Sequence, residues 1–114
     1  MRFEEFSPLG DSLVNFIYSL AVSRIRKTPV SKRASNRLLS EALTNAGLRE
    51  NKRRVNKHSL ADYAEGLIFY AWKNKLVTIE ECVDILVERM QDENGSEVYA
   101  FSELLRYIEA KIHG

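Results

Sequence analysis

The chain has 114 residues, of which 45% are hydrophobic and 29% charged, and its formal net charge is +1. These values predict one folded domain over residues 1–114, and a single cysteine, Cys82, excludes a disulfide framework or a zinc cluster. No apolar run approaches the roughly 20 residues that cross a bilayer, and the acidic residues 1–5 contain no apolar signal segment. We therefore expect no membrane contact and a location in the reducing cytoplasm.

The charge is unevenly distributed along the chain. Residues 24–57 contain eleven basic and two acidic side chains, a balance of +9, whereas residues 76–114 contain nine acids and three bases, a balance of −6. A basic segment of this size is typical of a surface that binds a polyanion, and a solvated charged surface is the alternative explanation.

The apolar residues follow helical spacing throughout, and no strand pattern, repeat or low-complexity segment is visible. Helix 1 is predicted over residues 7–28, with Ser7 as a cap and proline at its first position, and it ends before Pro29. Helix 2 is predicted over residues 31–46 and ends at Gly47, which is a good C-terminal residue for a helix.

The second half of the chain predicts three more helices. Helix 3 starts at Ser59, where Asp62 gives a near-match to a capping box, and helix 4 starts at Thr78, whose capping box is completed by Glu81. Helix 5 covers residues 96–112. The fold class is therefore an all-α, compact bundle of about five helices.

The same apolar pattern also indicates how helices 1, 4 and 5 pack. Cys82 lies in the apolar stripe of helix 4 and is predicted as a small core residue. Helix 1 has a broad apolar face and helix 5 a regular apolar stripe, and both are candidates for a contact between two copies of the chain.

Three carboxylates stand close to the predicted helix starts: Asp11 in helix 1, and Asp62 and Glu65 three residues apart in helix 3. An acid at such a position can simply stabilise the positive end of the helix dipole. Carboxylates from two helices can also supply the oxygen ligands of a magnesium ion, which activates water and offsets charge on a phosphate during hydrolysis. The spacing alone leaves both interpretations open.

The two acidic stretches resemble motifs of the ribonuclease III family. Residues 10–16, Gly-Asp-Ser-Leu-Val-Asn-Phe, are similar to the second half of its signature, and residues 60–68, Leu-Ala-Asp-Tyr-Ala-Glu-Gly-Leu-Ile, to its second acidic motif. The resemblance covers residues 9–76 and implies the helical endonuclease domain of that family. It is expected to be closest to the short members, Mini-III-like or archaeal, that have no double-stranded-RNA-binding domain.

The resemblance implies an endonuclease that uses magnesium, or alternatively manganese, to cut double-stranded or structured RNA as a homodimer. By position, Asp11 is the signature aspartate and Asp62 and Glu65 are the second acidic pair; all three are implied as catalytic residues and metal ligands. The family signature has a glutamate four residues before its aspartate, where this chain has Ser7, while Glu4 falls where an earlier glutamate stands. A non-catalytic member of the fold that binds RNA or a ribonucleoprotein is therefore the alternative function.

The expected RNA contacts lie in the basic segment, because lysine and arginine bind phosphates irrespective of sequence and A-form RNA is recognised mostly by its shape and backbone. The first candidates lie after helix 2: Arg49, Lys52, Arg53, Arg54 and Lys57. The next lie at its start: Lys32, Arg33 and Arg37. A third function is a helical interaction module whose acidic C-terminal half binds a basic partner.

Overall fold

A computed structural model describes residues 2–48, 57–93 and 95–114. Within these ranges the chain is helical and has no strand, which confirms the prediction of an all-α bundle with five helices. The elements are a single-turn 3-10 helix at Phe3–Phe6 and the helices α1 (Ser7–Arg26), α2 (Asn36–Asn45), α3 (Lys57–Lys73), α4 (Ile79–Met90) and α5 (Glu97–His113). In the same ranges, no helix is long and apolar enough to cross a membrane.

Helix α3 is the central element. It packs against the 3-10 helix, α1, α2 and α5, while α4 packs against α1 and α5. Every helix contributes buried apolar side chains to one core, among them Val14 and Ile17, Leu39 and Leu43, Leu67 and Ile68, Val83 and Leu86, and Phe101 and Leu104. Cys82 is confirmed as a core residue, and burial raises the pKa of its thiol to about 12.

Several predicted helix ends are confirmed by their caps. In α4, the Thr78 hydroxyl accepts from the backbone N–H of Glu81 at 3.0 Å, and the Glu81 carboxylate accepts from that of Thr78 at 2.8 Å. Ser96 caps α5 by accepting from the N–H of Tyr99 at 3.0 Å. Gly47 follows α2 with a φ of +78°, a conformation that favours glycine at a helix C-terminus.

The prediction that helix 2 begins at Ser31 is wrong. Helix α2 begins at Asn36, because the side chain of Ser35 accepts from the N–H of Leu38 at 3.0 Å and acts as its cap. Residues 29–35 have no helical conformation and lie along α1. This 29–35 segment carries two of the predicted RNA contacts, Lys32 and Arg33.

Polar side chains of α1 replace the missing helical hydrogen bonds of the segment. Ser23 accepts from the N–H of Val30 at 2.9 Å and donates to its carbonyl at 3.1 Å. Ser19 bonds Lys32 in the same way, at 2.8 and 3.1 Å. Asn15 accepts from the N–H of Ala34 at 2.8 Å.

We call these three side chains of α1 the ladder. Its members are four residues apart, a rise of about 6 Å along a helix, and they bond every second residue of the segment, a rise of about 6.6 Å along an extended chain. The two spacings match, so the backbone N–H groups of residues 30, 32 and 34 are satisfied without helix formation.

The starts of α1 and α3 also differ from prediction. Ser7 is the first residue of α1 and makes no cap, since the N-cap position is held by Phe6. Helix α3 begins at Lys57, so Ser59 lies within it rather than at its cap. Neither helix has an acid in its first turn. The helix-dipole explanation therefore does not apply to Asp11 and Asp62, because that effect falls off within the first turn.

The apolar stripe of α5 mainly faces the core, where Phe101, Leu105 and Ile108 are fully buried. Helix α1 does expose apolar side chains: Leu9 is 58% exposed and Phe16 is 52% exposed.

Candidate active site

The candidate site lies where the first turns of α1 cross α3. Gly10 makes the crossing close, since a Cβ at this position would lie 2.3 Å from the backbone oxygen of Glu65. At the next residue of α3, a Cβ on Gly66 would lie 1.7 Å from the carbonyl oxygen of Phe3. Both distances are too short for any side chain, so the two glycines allow α1 and the 3-10 helix to pack directly on the α3 backbone.

Ser7 joins the two acids of α3. Its hydroxyl oxygen lies 2.9 Å from Oδ1 of Asp62 and 2.8 Å from Oε1 of Glu65, and it donates to these carboxylates. Because a hydroxyl has one proton, it donates to only one of them at a time.

Asp11 reaches the same place from α1, four residues after Ser7 and therefore on the same side of the helix. It shares a side-chain hydrogen bond with Glu65. Its Oδ1 lies 3.4 Å from the amide nitrogen of Asn15, and its Oδ2 lies 3.8 Å from a guanidinium nitrogen of Arg33. The Asp11 side chain is 42% exposed, so the cluster is open to solvent on this side.

Glu65 is the buried member of the cluster, with only 4% of its surface exposed. Burial raises the pKa of Glu65 from 4.5 to about 7; the hydrogen bond from Ser7 opposes this rise, and the hydrogen bond and charge of Asp11 and the charge of Asp62 add to it. Near neutral pH, the Glu65 carboxyl is therefore divided between its protonated and ionised forms.

The donor set consists of oxygens only, which suits a hard divalent cation. In the described part of the chain, however, no group of three or more His, Cys, Asp or Glu side chains is arranged as it would be around a metal ion. The oxygens face Ser7, one another and Arg33 instead. The residues present fit a cation by their chemistry, provided that it takes the place of the proton on Glu65 and of the Arg33 contact.

The structure thus brings Asp11, Asp62 and Glu65 together from two helices, while their catalytic and metal-binding roles stay predictions. Sequence reasoning did not identify the part played by Ser7, although its position four residues before Asp11 places it on the same helix face. It also gave no indication that Arg33 lies next to Asp11, because that contact depends on how the 29–35 segment runs along α1.

The predicted RNA contacts have different surroundings. Lys32 is partly buried, with its ammonium 5.6 Å from the centre of the Tyr18 ring. Arg33 and Arg37 are both exposed, and Arg37 pairs with Glu41 at 3.0 Å. Four of the remaining candidates lie outside the described residues: Arg49, Lys52, Arg53 and Arg54. The fifth, Lys57, is described for its backbone only, so its side chain also lies outside the described part of the chain.

Fold and site together define a helical domain with a carboxylate cluster at the crossing of two helices. A family model described as Ribonuclease III matches residues 4–113, nearly the whole chain. The chain therefore belongs to the ribonuclease III family, and this membership implies an RNA substrate. The match extends past the two acidic motifs to include α4 and α5. No individual curated protein matches the chain.

Proposed function

We propose that this protein is a metal-dependent endoribonuclease that hydrolyses phosphodiester bonds in double-stranded or structured RNA, with Mg²⁺ or Mn²⁺ as its ion. One observation carries the proposal: the Ser7 hydroxyl of α1 contacts Asp62 and Glu65 of α3, and Asp11, one turn further along α1, interacts with Glu65. Membership in the ribonuclease III family supports it independently.

Each residue of the cluster has a role in the proposal. Asp11 and Glu65 would hold the ion directly, and Asp62 would bind it or position a water beside it. A bound ion supplies an activated water and offsets the charge that develops on the phosphate. In the ion-free protein the buried carboxyl of Glu65, whose pKa is raised to about 7, is partly protonated near neutral pH, and Ser7 orients Glu65 and Asp62 through its two contacts.

The RNA backbone would be held by the basic side chains outside the core. Among the described candidates, Arg33 lies beside the carboxylates and Arg37 lies on the first turn of the following helix. Such contacts give affinity that does not depend on base sequence and that falls as salt rises.

Cleavage of duplex RNA tests the proposal. With Mg²⁺ or Mn²⁺, we expect products from the wild type and from the control D84N, which removes the charge of an exposed aspartate paired with Arg24. D11N and E65Q should lose at least about 100-fold in rate, because each removes a charged oxygen ligand. Equal inertness of all four proteins would refute hydrolysis.

The alternative is a non-catalytic RNA-binding member of the family. Two observations favour it: Ser7 stands where the family signature has a glutamate, and the carboxylates of the described residues are not arranged around an ion. It predicts a salt-sensitive gel shift with duplex RNA that is indifferent to Mg²⁺ and yields no products. Absence of any RNA binding at moderate ionic strength would instead favour the protein-interaction module.

We also propose that two copies of the chain pair through α1. Leu9, Phe16 and Leu20 are exposed, seven and four residues apart, and therefore share one face of the helix. We expect a dimer by sedimentation at micromolar concentration, a monomer for F16E, and a dimer for the control T44E, which adds the same charge to an exposed position of α2. A monomeric wild type would refute the pairing.

A further inference from the structure

Arg33 contacts the carboxylate cluster although its side chain is mostly exposed. Its guanidinium lies 3.8 Å from Oδ2 of Asp11, although 78% of the Arg33 side chain is exposed. It is the cation that the described residues place against the carboxylate cluster; Arg24 and Arg37, by contrast, pair with Asp84 and Glu41 outside it.

The backbone around Arg33 is fixed by the same helix that carries Asp11. Asn15 accepts from the N–H of Ala34 at 2.8 Å, and its amide nitrogen lies 3.4 Å from Oδ1 of Asp11. Ser19 bonds both backbone groups of Lys32 on the other side. Arg33 therefore stands between two tethered residues, and only its side chain is free to change direction.

Arg33 can readily exchange its contact with Asp11 for a contact with another partner. An ion pair between exposed groups contributes little to stability, so it is readily broken. A divalent cation among three carboxylates has a stronger attraction for Asp11 than one exposed guanidinium has, because it brings twice the charge to a shorter distance. Once released, an arginine at the rim of the cluster can form two parallel hydrogen bonds with a phosphate.

We propose that Arg33 is a positioning residue that alternates between two partners: it holds Asp11 while no ion is bound, and it contacts an RNA phosphate once a divalent ion occupies the carboxylates. This role rests on the proposed function, since it requires an ion at Asp11. In this role Arg33 competes with the ion for Asp11 and also contacts the substrate.

The first measurement is ion binding without RNA, by calorimetry with Mn²⁺. R33Q removes the competing charge, so we expect Mn²⁺ to bind about three- to tenfold more tightly than in the wild type. R33K keeps a charge and should stay close to the wild type. The matched control is R24Q, which also breaks an Arg–Asp pair of α1, but about 20 Å from Asp11 along the helix; it should leave Mn²⁺ affinity unchanged.

The second measurement is the salt dependence of binding to duplex RNA, with Ca²⁺ as the probe ion or with a chelator. With Ca²⁺, R33Q should lower the slope of log K against log salt by about 1, the loss of one phosphate contact. With the chelator, R33Q should lower the slope by less than it does with Ca²⁺, because Asp11 then competes with the phosphate for Arg33.

The outcomes separate this inference from the proposed function. Unchanged or weaker Mn²⁺ binding by R33Q, the same effect in R24Q, or an equal loss of slope with and without Ca²⁺ would overturn the role of Arg33. A wild type that binds Mn²⁺ and RNA but makes no products would overturn hydrolysis and leave the Arg33 comparison standing. A wild type that binds no divalent ion would overturn both.

Discussion

The hydroxyl of Ser7 lies 2.8 Å from the carboxylate of Glu65, although 58 residues separate them in the chain. The ribonuclease III signature resembled by residues 10–16 has a glutamate where this chain has Ser7. A neutral donor therefore stands where a further negative charge is expected, and it bonds two acids that would otherwise repel one another across a partly buried contact.

Removing the Ser7 hydroxyl should raise the pKa of Glu65 further above its present value of about 7, because the hydrogen bond from Ser7 opposes the rise caused by burial. The measurement is an NMR titration of the glutamate carboxyl carbons in S7A without divalent ions. S12A, which truncates an exposed serine of the same helix, is the control and should titrate like the wild type. A lower pKa in S7A would contradict the assignment.

The free energy of unfolding should depend on pH through Glu65. Its pKa is raised from 4.5 to about 7 by burial first of all, so the folded state binds the proton more tightly. The resulting stability is fully present below pH 4.5 and is lost as pH rises through 7, a change on the order of 3 kcal/mol. E65Q cannot titrate, so urea unfolding in a chelator should show E65Q gaining on the wild type between pH 5 and pH 8. A difference that stays constant with pH would contradict this.

Ion binding should release the Glu65 proton. Because a carboxyl must lose its proton to bind a metal, Mn²⁺ affinity should fall by up to about tenfold per pH unit below 7 and level off above it. Calorimetry in buffers of different ionisation enthalpy should show about one proton released at pH 6 and almost none at pH 8. D84N should behave like the wild type, and a pH-independent proton count would rule out Glu65 as a ligand.

Replacing Gly10 by alanine should destabilise the protein by about 1–3 kcal/mol, as overpacking does. The new Cβ would meet the backbone oxygen of Glu65 at 2.3 Å, and backbone cannot move aside as a flexible side chain can. This clash outweighs the roughly 1 kcal/mol by which alanine favours a helix over glycine. Thermal unfolding of G10A is the measurement, with S12A as control, and a more stable G10A would show that the helices are not in direct contact.

The ladder on α1 should protect individual amides of the 29–35 segment from hydrogen exchange. S19A should expose the amide of Lys32 while that of Val30 stays protected, and S23A should do the reverse, because each serine accepts from one of these amides. Each substitution should cost about 1 kcal/mol of stability. Equal acceleration of both amides in either variant would mean that the segment is held in some other way.

Several predictions based on local patterns were confirmed, although the near-match to a capping box at Ser59 was not. The capping box of Thr78 and Glu81, the start of α5 at Ser96 and the glycine after α2 are each confirmed, since the signals for these helix ends lie within a few residues of one another. The core position of Cys82 followed from helical periodicity in the same way.

Predictions failed where the partner is distant in the chain. Ser7 has the sequence context of a helix cap, but its hydroxyl bonds residues 55 and 58 positions away. The helical pattern from Ser31 was misleading because residues of α1 satisfy the backbone of the 29–35 segment, a contact that no local preference encodes. The convergence of the acids was suggested by the family resemblance, while the close approach that permits it depends on Gly10 against Glu65.

The 29–35 segment is held to α1 through its backbone, and this affects which side chains of the cationic surface can be replaced. Ser19 and Ser23 form hydrogen bonds only with main-chain atoms, and every amino acid except proline has both the backbone N–H and the carbonyl that these bonds need. The identities of the outward side chains at positions 31 and 33 are therefore uncoupled from the shape of the segment. New charges, aromatic groups or probes can be introduced there next to the acids, and the backbone conformation of the segment will stay the same.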